Sequence, residues 1–248
     1  MAVMALEFRR FLCPSSMWRR RSHPTPMQQH RTLPQRVAYR IVKALLHLAA
    51  VVAYGLRVSG QRYVPMEGGL LVVSNHQSHF DPPLVGVAAP RMLSFLARHT
   101  LFVSWFGRLI AYMGAFPIDR EGSGLSGVKE TLLRLKGGEA VLMFPEGTRT
   151  PDGEVGPIRP GFITLAVRSK AAILPAAIEG AFDAWPRQQM LPGCGTIHIR
   201  FGPPITPEEV ARLSEEELAA EVDRRIRTCH TALRRHPIFQ RKGKRRRT

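Results

Sequence analysis

The stretch LLVVSNHQSHFDPP (residues 70–83) contains the pattern on which the fold of this chain depends. It opens with an apolar run that includes two valines, which predicts a short buried strand over 70–75. Asp81 and Pro82 then indicate the start of a helix that runs to about Ala89, because aspartate caps helices and proline fits their first turn. A buried strand, a polar turn and a helix in this order are typical of α/β folds.

The same alternation of strand and helix continues on the carboxyl side of this stretch. Glycines separate the elements, and Gly137 with Gly138 ends one helical pattern. The alternation predicts an α/β fold with a largely parallel central sheet flanked by helices. The further strands are predicted over 92–97, 115–119, 140–144, 172–179 and 196–201, and the further helices over 101–114, 125–138, 161–170 and 206 to about 235.

On the amino side, residues 34–56 predict a long amphipathic helix. Its polar residues recur at spacings of four, three and four, which places them on one helix face. They are Arg36, Arg40, Lys43 and His47. A broad apolar surface beside a basic stripe is typical of a helix that lies in a membrane interface. The same pattern fits a helix that covers a soluble core, but the basic sign of the stripe favours the membrane.

The charge of the chain is unusual for a globular composition of 248 residues. Lysine and arginine number 36 against 19 aspartates and glutamates, which gives a formal net charge of +17. Such a surface favours polyanions: nucleic acid, anionic lipid headgroups or phosphorylated substrates. Three widely separated cysteines, Cys13, Cys194 and Cys229, argue against a disulfide framework or a zinc ribbon. Residues 1–30 predict a disordered basic arm.

The polar turn NHQSHFDPP allows three interpretations. A metal site is disfavoured, because His76 and His79 lack the spacing and the glutamate of HExxH and too few other ligands are near. A structural turn is compatible with every polar residue in it. A catalytic pair is the third interpretation, since His76 follows a buried strand and Asp81 could fix its tautomer. No GxSxG motif is present, so the histidine would act directly on a substrate hydroxyl.

Later motifs occur in a fixed order after this turn. They are GAFPIDRE (114–121), FPEGTRT (144–150), RPGFITLA (159–166) and AILPAAIEG (172–180). NHxxxxD followed by FPEGTRT in this order resembles the glycerolipid acyltransferase family, which includes the 1-acyl-sn-glycerol-3-phosphate (lysophosphatidic acid) acyltransferases. The resemblance covers roughly residues 55–205.

The resemblance implies a role for each matching residue. His76 would be the general base, and Asp81 would orient it. A further set would bind the glycerol phosphate of the acceptor or shape the acyl or acceptor pocket: Arg120, Glu146, Gly147, Thr148, Arg149 and Pro175. Arginine suits phosphate because its planar fork donates two parallel hydrogen bonds. Because a carboxylate repels phosphate, we expect Glu146 to organise an arginine or a hydroxyl.

The implied reaction moves a fatty acyl group from acyl-CoA or acyl carrier protein to lysophosphatidic acid or a related lysophospholipid. It requires no metal and no cofactor beyond the thioester donor. Backbone N–H groups of the 76–81 turn are candidate donors to the oxyanion. The expected organisation is a basic arm (1–30), a membrane-associating helix (31–56), a catalytic domain (57–235) and a basic tail (236–248). The expected location is an anionic membrane surface at the cytoplasmic face.

Two other functions remain open from the residues alone. GSGLSG (122–127) matches GxGxxG between a strand and a helix, and Glu146 follows about 20 residues later, as in a dinucleotide-binding oxidoreductase. The tail RKGKRRRT could instead belong to a basic nucleic-acid-binding module. No motif of nucleic-acid recognition with interleaved aromatic residues is present, so no specific nucleic acid is expected.

Overall fold

The fold is described here from a computed structural model, which covers residues 32–98, 102, 105–118 and 125–240. Several sequence-based predictions fall outside these residues. They concern the basic arm (1–30), Arg120, the glycines at 122 and 124 and the last residues of the tail (241–248).

Within this part of the chain, seven strands form one sheet in the order β1-β7-β6-β2-β5-β3-β4. All neighbouring strands pair in parallel except β6 and β7, which are antiparallel. The predicted α/β fold with a largely parallel sheet is confirmed. The strands are β1 (Arg57–Ser59), β2 (Leu70–Ser74), β3 (Leu93–Arg98), β4 (Ala115–Ile118), β5 (Ala140–Met143), β6 (Ala172–Glu179) and β7 (His198–Phe201).

Helices cover both faces of this sheet, as expected where crossover connections join parallel strands. Short 3₁₀ turns occur at Gln61–Tyr63 and Pro160–Phe162. The helices are α1 (Leu33–Tyr54), α2 (Asp81–Ala88), α3 (Trp105–Tyr112), α4 (Leu125–Lys136), α5 (Ile163–Ser169), α6 (Ala181–Ala184), α7 (Pro207–Arg212) and α8 (Glu215–Arg234).

Strand β2 lies at the centre of the sheet and is buried on both faces. Alternate residues of a strand point to opposite faces. Leu70 and Val72 accordingly pack in the apolar layer that contains α2, whereas Leu71 and Val73 pack in the layer that contains α5 and α8. This burial on both sides explains why the sequence shows a continuous apolar run instead of an alternating one. It also fixes the end of β2, where the turn beginning at Asn75 leaves the sheet.

Three parts of the fold differ from the sequence-based prediction. The four-residue helix α6 was not predicted. Strand β1 was not predicted, because three residues are too few to form a recognisable pattern. The single last helix was wrong, since the chain forms α7 and then α8. Ser214 begins α8 with a capping box: its hydroxyl accepts from the Glu217 N–H at 3.2 Å, and the Glu217 carboxylate accepts from the Ser214 N–H at 2.9 Å.

The basic stripe predicted on α1 is divided between protein and solvent. Arg36 and Arg40 are exposed, but Lys43 and His47 are half-buried. The Lys43 ammonium donates to the carbonyl of Ala89 at the end of α2. Burial lowers the pKa of Lys43 to about 8. The half of the stripe that contains Lys43 and His47 therefore packs against the domain, whereas the half that contains Arg36 and Arg40 faces solvent.

The opposite face of α1 is apolar and exposed. The helix has 22 residues, and its most apolar stretch of 18 residues has a mean hydropathy of 1.5 and is only 11% buried. Its length and composition would therefore suffice to cross a membrane. Its inner face, by contrast, lies against the domain through the buried Tyr39 and Ala50. The large exposed side chains of its outer face are Leu33, Val37, Ile41, Leu45, Leu48, Val51 and Val52.

The packed domain extends further than the predicted boundary at residue 235. Phe239 is buried, and its ring lies 4.8 Å from that of His198 on β7. His236 contacts the same histidine at 4.7 Å between ring centroids. Residues 236–240 are therefore part of the fold and not of a free tail.

Candidate active site

The site begins at the carboxyl end of β2, where the chain turns into α2. Asp81 is the first residue of α2 and is fully buried. Its Oδ2 lies 2.7 Å from Nδ1 of His76 and also accepts the backbone N–H groups of Gln77 and Ser78. The carboxylate thus points back into the turn instead of capping α2. It ties the imidazole and the turn together, and the predicted pairing of residues 76 and 81 is present.

The imidazole of His76 is held on two sides. Its ring stacks on that of Phe144, with centroids 4.1 Å apart and planes inclined by 17°. Because a carboxylate only accepts hydrogen bonds, Nδ1 of His76 carries the hydrogen that faces Asp81. Nε2 is then the nitrogen that can accept a proton. The side chain remains 18% exposed, which leaves the ring accessible to a substrate.

The turn of residues 75–81, between β2 and the start of α2, carries the candidate base and is called the catalytic turn. Glu146 joins the FPEGTRT loop to this turn. Its Oε1 accepts the backbone N–H of His76 at 3.0 Å, and its Oε2 accepts that of Gly156 at 3.2 Å. The Thr150 N–H donates to the His76 carbonyl at 2.8 Å. Burial raises the pKa of Glu146, although these two N–H donors oppose the rise. The observed contacts of this carboxylate with backbone N–H groups differ from the arginine or hydroxyl contacts that the sequence suggested.

An open cavity with a basic lining lies beside this loop. Its volume is about 450 Å³, and Nη1 of Arg187 donates to the Thr148 hydroxyl at 3.3 Å in its wall. Arg149 directly precedes Thr150, whose N–H donates to the His76 carbonyl, so it lies close to the catalytic turn. Burial lowers the pKa of the neighbouring His79, and the charge of Arg149 lowers it further. Two guanidinium groups in one cavity suit a phosphate. The lining residues are Thr148, Arg149, Pro151, Arg187 and Gln188.

Gly147 adopts a backbone conformation that favours glycine, with φ at +72°. A Cβ at this position would lie 3.5 Å from the guanidinium of Arg159. Arg159, the first residue of the RPGFITLA motif, therefore brings another positive charge to the same loop.

Pro175 is not brought to this cavity. It is a buried residue within β6, paired with Val73 of β2, and its carbonyl accepts from the Gly202 N–H at 2.8 Å. The cavity is lined by other residues. Arg120, the remaining predicted phosphate ligand, lies outside the described residues.

The predicted oxyanion donors of the catalytic turn are largely occupied. The backbone N–H groups of Gln77 and Ser78 donate to Asp81, and that of His76 donates to Glu146. The N–H of Phe80 donates to the Ser78 hydroxyl, and the N–H of Asp81 donates to the Ser78 carbonyl. This turn therefore offers at most the N–H of His79 to an oxyanion.

Sequence reasoning missed a buried network behind the catalytic turn. Glu179, at the end of β6, accepts from the side chains of Gln77 at 3.1 Å and Arg234 at 3.3 Å, and its Oε2 lies 2.6 Å from Nε2 of His230. Gln77 is almost fully buried and also accepts the N–H of Phe182. The position of Glu179 at the end of a parallel strand was the available signal.

Arg187 was missed for a different reason. It lies in a connection that carries no motif, 38 residues after Arg149 in the sequence numbering. Only folding brings it to the cavity. As for metals, no group of three or more histidine, cysteine, aspartate or glutamate side chains in the described part of the chain is arranged to hold an ion.

A family model described as Acyltransferase matches residues 55–179. The chain belongs to the acyltransferase family. The resemblance inferred from NHxxxxD and FPEGTRT is thereby confirmed. Membership favours acyl transfer over both the dinucleotide-binding oxidoreductase and the nucleic-acid-binding module that the residues alone left open.

Several characterised members of this acyltransferase family are similar over most of the chain. The 1-acyl-sn-glycerol-3-phosphate acyltransferase of Bacillus subtilis is 33% identical over 169 residues, covering 67% of this chain and 82% of the relative. That of Pseudomonas aeruginosa is 33% identical over 187 residues, with 71% of each chain covered. The human 1-acyl-sn-glycerol-3-phosphate acyltransferase alpha is 30% identical over 184 residues, covering 69% of this chain and 64% of the relative.

The fold is also that of a solved acyltransferase. The crystal structure of the 1-acyl-sn-glycerophosphate (LPA) acyltransferase PlsC from Thermotoga maritima matches with a TM-score of 0.72. The match covers 94% of this chain and 89% of that one, at 23% sequence identity. This likeness extends through the whole sheet and its flanking helices.

Proposed function

We propose that this acyltransferase moves a fatty acyl group from a thioester donor to the free hydroxyl of lysophosphatidic acid or a related lysophospholipid. The product would be phosphatidic acid or its analogue. The relatives from Bacillus, Pseudomonas and human carry names that state an acylglycerol phosphate substrate. The observation that carries the proposal is the His76–Asp81 pair at 2.7 Å, bonded through the Thr150 N–H to the loop whose Arg149 lines a cavity together with Arg187.

In the proposed reaction His76 acts directly on the acceptor. Its Nε2 takes the hydroxyl proton as the oxygen attacks the thioester carbonyl, while Asp81 stabilises the imidazolium that forms. The tetrahedral intermediate collapses, the C–S bond breaks, and the thiolate leaves with its electron pair. The imidazolium returns the proton to this thiolate, whose conjugate acid has a pKa of about 8.5. No covalent enzyme intermediate and no cofactor beyond acyl-CoA or acyl carrier protein are required.

The phosphate of the acceptor is assigned to the basic cavity. Arg149 and Arg187 supply guanidinium groups, and Thr148 contributes a hydroxyl to the same wall. Gly147 permits close backbone approach. We include Arg120 as a further ligand on the basis of the family motif. Pro175 has a different place in this proposal, since it supports β6 rather than contacting substrate.

We further propose that the enzyme acts at an anionic membrane surface on the cytoplasmic side. The exposed apolar face of α1 provides the hydrophobic contact. The formal charge of +17 attracts anionic headgroups, which are enriched on that side. A lipid acceptor would then reach the site from the bilayer without crossing water.

An acyl-transfer assay with a labelled thioester and a panel of acceptors tests this function. His76→Ala should lower turnover about 10²- to 10⁴-fold, since general base catalysis contributes that much. His236→Ala is the matched control, because this histidine contacts Arg57 and His198 on β1 and β7, away from the catalytic turn. Full turnover by the His76 variant, or no transfer to any lysophospholipid by the wild type, would contradict the proposal.

Arg187→Ala tests the assignment of the phosphate. It should raise KM for lysophosphatidic acid about tenfold or more, because a charge-assisted hydrogen bond contributes about 1.5–3 kcal/mol. Transfer to monoacylglycerol, which has no phosphate, should be unaffected. Arg212→Ala on α7 serves as the control for loss of one exposed charge. An equal effect of Arg187→Ala on both acceptors would show that Arg187 does not contact the phosphate.

A further inference from the structure

The connection between α6 and β7 contains two consecutive exposed apolar side chains near its middle. Met190 is 92% exposed and Leu191 is 78% exposed. We call these two residues the apolar tip. Full exposure of two large neighbouring hydrophobic residues costs solvation free energy, and such residues commonly mark a contact surface.

The apolar tip is presented by an ordered turn. Nε1 of Trp185 donates to the carbonyl of Gln189 at 3.0 Å, and the Gln189 N–H donates to the carbonyl of Pro186 at 3.2 Å. The Gly193 N–H closes the connection by donating to the carbonyl of Ala184 at 2.7 Å. The backbone on both sides of the tip is thus held by hydrogen bonds, so its side chains project outward from a defined position.

This turn borders both the catalytic turn and the end of α1. The Ser78 hydroxyl donates to the carbonyl of Trp185 at 2.7 Å. The indole of Trp185 lies 5.0 Å from the ring of His79 and 4.8 Å from that of Phe80. Phe80 in turn lies 5.0 Å from Tyr54, the last residue of α1. An aromatic chain therefore links the apolar helix, the active site and the connection that carries the tip.

Arg187 is the one charged residue in the connection that carries the apolar tip. Arg187 belongs to the same connection and lines the basic cavity with Arg149. Residues 185–197 contain no aspartate or glutamate. Apolar side chains flanked by arginine are typical of segments that enter the headgroup region of an anionic bilayer. A stable protein interface needs about 800 Å² per partner, which two side chains do not provide.

We propose that the apolar tip inserts into the headgroup boundary of an anionic bilayer. The basic cavity then opens at the lipid surface. Arg187 binds the phosphate of an acceptor lipid while that lipid moves from the bilayer into the site. This inference rests on the membrane association proposed above and adds a second contact to that of α1. It concerns binding, so its main test does not depend on the identity of the acceptor.

The test is partition of the full chain onto vesicles of phosphatidylcholine and phosphatidylglycerol in equal parts. The double variant Met190→Ser/Leu191→Ser should bind about tenfold more weakly, because two large apolar side chains no longer leave water. Met190→Trp/Leu191→Trp should bind more tightly, since tryptophan favours membrane interfaces. Met66→Ser is the control: Met66 is 60% exposed but precedes β2, so it lies at the amino end of that strand, opposite the end that carries the active site.

Activity provides a second readout. The serine double variant should transfer acyl groups more slowly to lysophosphatidic acid in vesicles and at the wild-type rate to the same lipid in detergent micelles. Equal vesicle binding by wild type, serine variant and tryptophan variant would overturn the inference. A serine variant whose sedimentation coefficient differs from that of the wild type, but whose vesicle binding does not, would also overturn the inference. That result would indicate that the tip contacts another copy of the chain instead of lipid. If the proposed acyl transfer fails, the vesicle-binding result still stands. Failure of the proposed function can therefore be told apart from failure of this inference.

Discussion

At the scale of single residues, one aspartate performs two tasks in this enzyme. Oδ2 of Asp81 accepts from the imidazole of His76 and from the backbone N–H groups of Gln77 and Ser78. The same atom therefore holds the imidazole of His76 in place and closes the turn that carries it. Because the carboxylate is fully buried, its loss would leave these donors without a partner in a region that water does not reach.

Asp81→Asn separates the two tasks. The amide oxygen can still accept the backbone N–H groups, so the turn should survive, but the imidazolium loses its carboxylate. We expect kcat to fall about 10²- to 10⁴-fold, with little change in KM for the acyl donor. Steady-state kinetics and circular dichroism check this result. Asp81→Ala should in addition lower the free energy of unfolding by about 1–3 kcal/mol for each stranded donor. Wild-type kcat in the asparagine variant would exclude the positioning role.

At the scale of elements, Glu179 joins three segments that are distant in sequence. It is the last residue of β6, contacts Gln77 in the catalytic turn, and contacts His230 and Arg234 on α8. Burial alone would raise its pKa. The hydrogen bond and charge of His230, the charge of Arg234 and the hydrogen bond from Gln77 outweigh burial and lower it. The ionised form is therefore the form that the fold favours.

Glu179→Gln should reveal this coupling as a pH-dependent loss of stability. A carboxyl whose pKa is lowered by folding stabilises the protein above its unfolded pKa, here 4.5, and that stabilisation is lost as the pH falls through the lowered folded value. The free energy of unfolding of the wild type should thus exceed that of the variant by about 1–3 kcal/mol at neutral pH, and this difference should shrink below pH 4.5. Urea unfolding across this range measures it.

Glu154→Gln is the matched control for that experiment. Glu154 also pairs with Arg234, but its side chain is 59% exposed, and exposed ion pairs contribute little. A pH-independent difference for Glu179→Gln, or an equal effect of both substitutions, would refute the assignment of the stabilisation to the buried carboxylate.

At the scale of the whole molecule, apolar and basic surfaces are separated on α1. Its inner face packs on the domain through Tyr39 and Ala50, and its outer face exposes a row of large apolar side chains. Arg36 and Arg40 border this row. Docking of the inner face orients α1 along the domain, which suits a helix that lies in the membrane interface.

Ile41→Ser/Leu45→Ser/Leu48→Ser should release the enzyme from vesicles. These side chains are 54%, 61% and 59% exposed, so their replacement should leave the unfolding transition of the domain unchanged. Flotation of the variant with anionic vesicles checks the expected loss of binding. Added salt should weaken wild-type binding to anionic vesicles more than to neutral ones, because salt screens exposed charges. Retention of full binding by the triple variant would show that α1 is not the main contact.

Much of the fold could be predicted from local pattern. The apolar runs of β2, β5 and β6 are long enough to identify buried strands, and the motifs at their carboxyl ends identified His76, Asp81 and the FPEGTRT loop. The capping box at Ser214 was also present in the sequence, but it was not used, so α7 and α8 were predicted as one helix. The three residues of β1 and the four residues of α6 lacked a signal altogether, because so few residues carry no periodicity.

Other features depended on how the strands are ordered in space. Val73 of β2 lies beside both Met143 of β5 and Pro175 of β6, so the strand ends meet although the chain separates them. That order brings Glu146 to His76 and Glu179 to Gln77, and it aligns Arg187 with the basic cavity. The packing of α1 on the domain likewise brings the ammonium of Lys43 to the carbonyl of Ala89. Local sequence specifies backbone conformation and the face that each element buries, whereas contacts between distant segments follow from the packing of all elements around one sheet.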